Sequence, residues 1–130
     1  MLSEAEKMEK KWSKFWKSSV QTRKQRKYKF NAPLHVKHKM VSSALSKELR
    51  KEYGIRSVPV RKGDFVKVIT GQFRGKSGKV TKVSVSLMYV HVEGATISRA
   101  DGTESFYPIH PSNVMITKLE LTDKTRVSKI

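Results

Sequence analysis

Two hydrophobic periods divide the chain. Over residues 3–20, SEAEKMEKKWSKFWKSSV, Met8, Trp12, Phe15 and Trp16 recur at helical spacing and share one face of a predicted helix. Ser3 is placed to cap it, and Glu4 and Glu6 suit the positive end of the helix dipole. Residues 21–31, QTRKQRKYKFN, interrupt the pattern. Apart from Tyr28 and Phe30 they offer no apolar face, which predicts a segment that stays extended or disordered until a partner orders it. A short helix is predicted after Pro33, from Leu34 to Val41. A better-marked helix follows over SSALSKELRKEYG, with Ser42 or Ser43 as cap and Leu45, Leu49 and Tyr53 on one face. Gly54 is its left-handed stop.

Beyond Pro59 the period falls to two. In DFVKVITG, Val66 and Val68 point one way and Lys67 the other. GKVTKVSVSLMYVHVEG carries Val80, Val83, Val85, Leu87, Tyr89, Val90 and Val92 with an uneven step that predicts a bulge or sharp bend. Thr96–Ser98 and Ser105–Tyr107 flank Asp101-Gly102, a hairpin signal. HPSN at 110–113 predicts a tight turn, and VMITKL a closing strand. Several short strands within about sixty residues predict a mainly β fold, a small barrel that disposes of its own sheet edges, preceded by short helices. The expected organisation is an amphipathic extension over 1–20, a basic arm with short helices over 21–58, the barrel over 59–122 and a tail over 123–130.

Charge changes the picture most. Among 130 residues, 28 Lys and Arg face 11 Asp and Glu, for a formal charge of +17 and a pI near 10.3. The excess is uneven, because no acidic residue occurs between Lys10 and Lys47. Such a field attracts polyanions, nucleic acid first and an anionic membrane surface second. The absence of cysteine excludes disulfides, thiolate nucleophiles and Cys-ligated zinc. No apolar run approaches the ~18 residues of a membrane span, and the charged N-terminus is unlike a secretory signal. Carboxylates are scattered, and no Ser has a recognisable base and orienter, so no enzymatic activity and no cofactor are expected.

The stretch GQFRGKSGKV at 71–80 resembles a phosphate-cradling nucleotide loop but fails its rules. Gly71 and Gly75 enclose three residues where four are needed, and a valine-rich strand follows instead of a helix. The wider spacing, GD-x-V-x-V-x-x-G-x-x-x-G-K-x-G-K-V from Gly63, resembles the KOW motif of ribosomal proteins and transcription elongation factors. That resemblance implies an SH3-like five-stranded barrel that touches RNA. FNAP at 30–33, LSKELRKEYGIRSVPVRKGD at 45–64 and IHPSNV at 109–114, with the basic run RKQRKYKFNAP, resemble one family closely. It is the large-subunit ribosomal protein L twenty-six of eukaryotes, the counterpart of bacterial L twenty-four, over about residues 18–122. The family is non-catalytic, binds large-subunit rRNA early in assembly, and sits near the polypeptide exit tunnel. Residues 1–16 are longer than expected of the family, and its lysine-rich C-terminal tail is nearly absent.

These readings assign RNA contacts made mainly to phosphates, since A-form RNA hides its major groove. Arg23, Lys24, Arg26, Lys27 and Lys29 form an arm that orders between rRNA helices, with a solvated linker as the plain alternative. Phe30 is expected to pack in the seam against the barrel, and Tyr28 to stack or pack. His35 and His38 lack a third ligand, so they join Lys37 and Lys39 as RNA or surface contacts and no metal is expected. Lys47, Arg50 and Lys51 face outward from their helix. Arg56, Arg61 and Lys62 flank Pro59, where they would clamp phosphates. Arg74, Lys76 and Lys79 are presented by the glycine turn, and Asp64 fixes a turn. The Met8–Trp16 face docks on a neighbouring protein or rRNA groove, folds back on the barrel, or lies in a membrane interface. Expected partners are large-subunit rRNA and neighbouring ribosomal proteins, without stable membrane insertion or obligate homo-oligomerisation. The place is the cytoplasmic ribosome, after nucleolar assembly. The alternative is a KOW-type transcription factor.

Overall fold

The structure, a computed structural model, describes residues 12–16 and 19–129. Ser3, Glu4, Glu6 and Met8 of the first predicted helix lie outside that range. Residues 12–16 form a turn, not a helix, closed by the Trp16 N–H donating to the Ser13 carbonyl at 3.4 Å. Helix α1 spans Thr22–Asn31 and α2 spans Leu34–Met40. Strand β1 (Ser42–Leu45) precedes α3 (Lys47–Tyr53), and β2 is Ser57–Pro59. Then come β3 (Phe65–Val68), β4 (Ser77–Ser84), β5 (Tyr89–Val92) and the hairpin β6 (Thr96–Ser98) and β7 (Glu104–Phe106). A 3-10 turn at Pro111–Asn113, β8 (Val114–Lys118) and α4 (Lys124–Lys129) complete the described chain.

Two helical expectations are corrected. Of the segment 21–31, Thr22–Asn31 is helical rather than extended, because Arg, Lys and Gln have high intrinsic helix propensity. The helix stops at Ala32, whose extended backbone is what a following proline imposes. The helix expected over SSALSKELRKEYG begins only at Lys47, with the Ser46 hydroxyl accepting from the Leu49 N–H at 3.4 Å. Its end at Gly54 is left-handed as expected, at φ 69°. Upstream, Ser43 and Leu45 are buried while Ser42 and Ala44 are half-buried. That is a strand period hidden inside a helix-like sequence. The Ser43 hydroxyl is satisfied by the Pro111 carbonyl at 2.6 Å, which makes its burial affordable.

Insertion of β1 also alters the sheet. β1 pairs antiparallel with β2 and parallel with β8, giving the order β2-β1-β8-β3-β4-β5, with β6-β7 as a separate ribbon. The mainly β class is as expected, but β1 and β2 were not, and the ladders form an open six-stranded mixed sheet, not a closed five-stranded barrel. The free side of β5 is engaged by Ile109, which exchanges two backbone hydrogen bonds with Val90 at 2.8 and 3.0 Å. One core is formed by inward side chains of the sheet: Leu45, Val66, Val68, Val80, Val90, Val92, Val114 and Ile116 are all essentially inaccessible. At about 25 cal/mol per Å² of apolar area removed from water, this cluster is the main source of stability.

Strand β4 bends as the uneven valine pattern predicted. Ser77–Lys79 pair with β3, Val80–Ser84 pair with β5, and the register shifts between Val80 and Lys82. Gly78 sits at this corner. A Cβ there would lie 2.4 Å from the Glu93 carbonyl oxygen, so only glycine admits the crossing backbone. Gly78→Ala is expected to cost about 1–3 kcal/mol, as overpacking does, measured as a lower urea midpoint with an unchanged m-value. The opposite edge of this region is fixed by Asp64, which is fully buried. Its carboxylate takes a two-pronged contact from the Arg126 guanidinium at 2.6 and 2.7 Å. It also accepts the backbone N–H groups of Arg61 at 3.0 Å and Glu120 at 2.9 Å. The turn-fixing role read for Asp64 is present, with a cationic partner that the sequence did not suggest.

Candidate nucleic-acid interface

Helix α1 holds the densest positive charge. Arg23, Lys24, Arg26, Lys27 and Lys29 are all exposed, and the helix has no acidic residue in its first turn and no side-chain N-cap. At 100° per residue, Arg23, Arg26, Lys27 and Phe30 fall on one side and Tyr28 on the other. Like charges at this spacing repel, so the helix is held by its other side. There Trp12 stacks on Tyr28 with centroids 5.2 Å apart, Trp16 lies 5.3 Å away, and the Trp12 indole N–H donates to the Tyr28 carbonyl at 3.1 Å. Trp12 and Trp16 therefore pack on the arm itself, whereas the expected fold-back was onto the barrel, while Phe15 is 81% exposed. Phe30 does not pack in a seam. It is 67% exposed, because helical geometry places it among the cations.

His35, His38 and Lys39 are exposed on α2, whereas the Lys37 ammonium donates to the Ser86 carbonyl at 3.1 Å and ties this helix to the β4–β5 turn. No group of three or more metal-ligating side chains occurs among the described residues. On α3, Lys47 and Lys51 are exposed, and Arg50 turns its Nε–H onto the Leu45 carbonyl at 3.0 Å. The C-terminal part of α1 lies near His110. Burial, and then the charge of Lys29, hold the His110 imidazole below its ordinary pKa.

The border and glycine-turn residues are brought together less cleanly. Arg56, Lys62 and Arg74 are exposed, but Arg61 is paired with Asp123. Lys62 and Lys79 line an open depression of about 630 Å³ that also holds Glu93 and Glu120, so its field is mixed. The glycine turn is anchored by Phe73, which is buried against Tyr107 at 5.2 Å. Gly71 and Gly75 adopt φ 99° and 89°, and Val68 exchanges backbone bonds with Lys76 and Gly75, each 2.8 Å. Lys76 lies over the Phe73 ring at 5.1 Å and donates to the Gly94 carbonyl at 3.2 Å. A strand, β4, follows the turn, so the context of a nucleotide loop is absent. Among the described basic side chains only Arg61 and Arg126 stand in ion pairs.

Sequence reading missed Tyr89, His91 and Phe106. Their rings stack in a row, with centroids 5.0 Å and then 5.4 Å apart and planes within 15° and 18° of parallel. The signal was available, since Tyr89 and His91 alternate with the inward Val90 and Val92 and so lie on the side that would ordinarily be polar.

Fold and surface together define a small, mainly β protein that carries a cationic helical arm with no ion-pair partner among the described residues. The chain belongs to the family of ribosomal proteins L26 (eukaryotic) and L24 (archaeal), whose model matches residues 19–130. It is thus of a family of structural, typically non-enzymatic proteins of the large ribosomal subunit, with the ribosome as its place. The match extends past the resemblance read at 18–122, and it favours the ribosomal branch over the transcription-factor alternative. No helix among the described residues is long and apolar enough to cross a membrane.

Proposed function

We propose that the protein binds large-subunit rRNA through its basic arm and the adjoining face of α2 and α3, and so supports early subunit assembly near the polypeptide exit tunnel. In this reading Arg23, Lys24, Arg26, Lys27 and Lys29 exchange for counterions along phosphates, and rRNA then stabilises a helix that self-repulsion weakens. The observation that carries it is an exposed helix with five cations and no ion-pair partner among the described residues. Lys39, Lys47, Lys51, Arg56 and Arg74 add exposed charge, with His35 and His38 beside them. Lys37, Arg50, Arg61, Lys62, Lys76 and Lys79 are secondary contacts, because internal carbonyls or carboxylates already engage or flank them.

Residues 59–122 act as the KOW module, to which β1 and most of β2 are added from the preceding segment. Partners are rRNA and neighbouring ribosomal proteins, and assembly takes place in the nucleolus. Replacing Arg23, Lys24, Arg26 and Lys27 together by Ala is expected to reduce incorporation into large subunits severalfold while thermal melting of the sheet stays unchanged. Sedimentation of tagged protein with large subunits measures this. Incorporation equal to wild type would overturn the role of the arm.

A further inference from the structure

The row of Tyr89, His91 and Phe106 is not needed by the core. Val90 and Val92 supply the inward positions of β5 and are fully buried, whereas Tyr89 and His91 occupy the outer positions and are half-buried. Phe106, on β7, continues the row and is 42% exposed. Lys82 lies directly across from His91 on β4, which puts both side chains on the same face. Burial, and then the Lys82 charge, hold the His91 imidazole below its ordinary pKa, so the middle ring is neutral near pH 7.

We propose that this row is a stacking platform for an unpaired nucleotide of RNA, with a base continuing the stack beyond Phe106 and its phosphate on Lys82. The inference rests on the rRNA-binding reading above. Near-parallel rings offer a flat π-face, which suits any base, rather than a groove for an apolar side chain. A nearby ammonium and a chain charge of +17 select a polyanion. Glu104, two residues from Phe106 on β7, and Glu93, two residues beyond His91, are exposed carboxylates that disfavour a phosphate beside them.

The test uses the full chain and two RNA probes, a mixed-sequence single strand of about ten nucleotides and a duplex hairpin of matched charge. Phe106→Leu is expected to weaken single-strand binding by about 5- to 100-fold, the scale of one lost base stack, and to leave duplex binding within about twofold. Phe106→Trp retains the ring and is expected to bind the single strand at least as tightly as wild type. Lys82→Ala is expected to lower the salt slope by about one. Circular dichroism melting checks each variant. If Phe106→Leu melts early, the Trp and Lys82 variants decide. Single-strand binding by Phe106→Leu equal to wild type, or equal weakening by Leu and Trp, overturns the platform and leaves the row as a face for a neighbouring protein. Absence of salt-sensitive binding of either probe by wild type overturns the rRNA reading and the platform with it.

Discussion

Asp64→Ala is expected to destabilise the protein by about 3–5 kcal/mol, the cost of stranding one member of a buried ion pair. The Arg126 side chain is 5% exposed and Asp64 wholly enclosed, so water cannot replace the lost carboxylate. The deletion also orphans the Arg61 and Glu120 N–H groups. For a chain of this size, such a loss lowers the melting temperature by about 10–25 °C, measurable by calorimetry. Arg126→Ala should cost a similar amount, because it leaves the carboxylate buried with backbone donors alone. It also frees the Pro59 and Glu120 carbonyls, which the guanidinium bonds at 3.1 and 3.0 Å. The double replacement is expected to cost much less than the sum, since removing both charges removes the need to solvate either. Additive losses would show that the two residues act independently.

The second large effect is on RNA affinity. Binding of large-subunit rRNA is expected to fall with a log–log salt slope on the order of −4 to −9, as for about six to ten neutralised phosphates. Between about 50 and 200 mM salt, affinity should drop by about 10²–10⁵-fold, seen in filter-binding or fluorescence titrations. The four-residue arm variant should lose about three to four units of slope, because each phosphate contact carries nearly one. A flat titration would contradict a mechanism based on counterion release. A steep one that the arm variant leaves untouched would move the contacts to α2 and α3.

The β region was legible because its signals were redundant. Val66 and Val68 alternate with exposed Phe65 and Lys67, and β3, the two halves of the Val80–Val92 stretch, the hairpin and β8 all form near their predicted places, although Val85 and Leu87 fall in the β4–β5 turn and β7 ends at Phe106 rather than Tyr107. The hairpin was announced by Asp101-Gly102, where the Asp101 side chain accepts from Thr103 N–H at 3.1 Å and its hydroxyl at 2.7 Å. Failures arose where one local pattern served two geometries. Leu45, Leu49 and Tyr53 satisfy a helical face, yet Leu45 is held in a strand by a pairing with Ile116, seventy-one positions away. No local period carries that information. In α1, the lack of an apolar face suggested disorder, but its anchor is an aromatic clasp drawn from upstream residues. Arg126 was invisible for a related reason: nothing local distinguishes it from the many other basic residues as one that goes inside. The basic candidates were legible as a set, but their division into open cations and cations already engaged required the fold.

Strand β8 lies between β1 and β3, and this position governs the order of events at birth of the chain. Until residues 114–118 have been translated, β2-β1 and β3-β4-β5 are separate fragments, each presenting a vacant ladder to whatever is nearby. The keystone must then slide in, parallel to one neighbour and antiparallel to the other. Such distant closure is slow relative to hairpin formation.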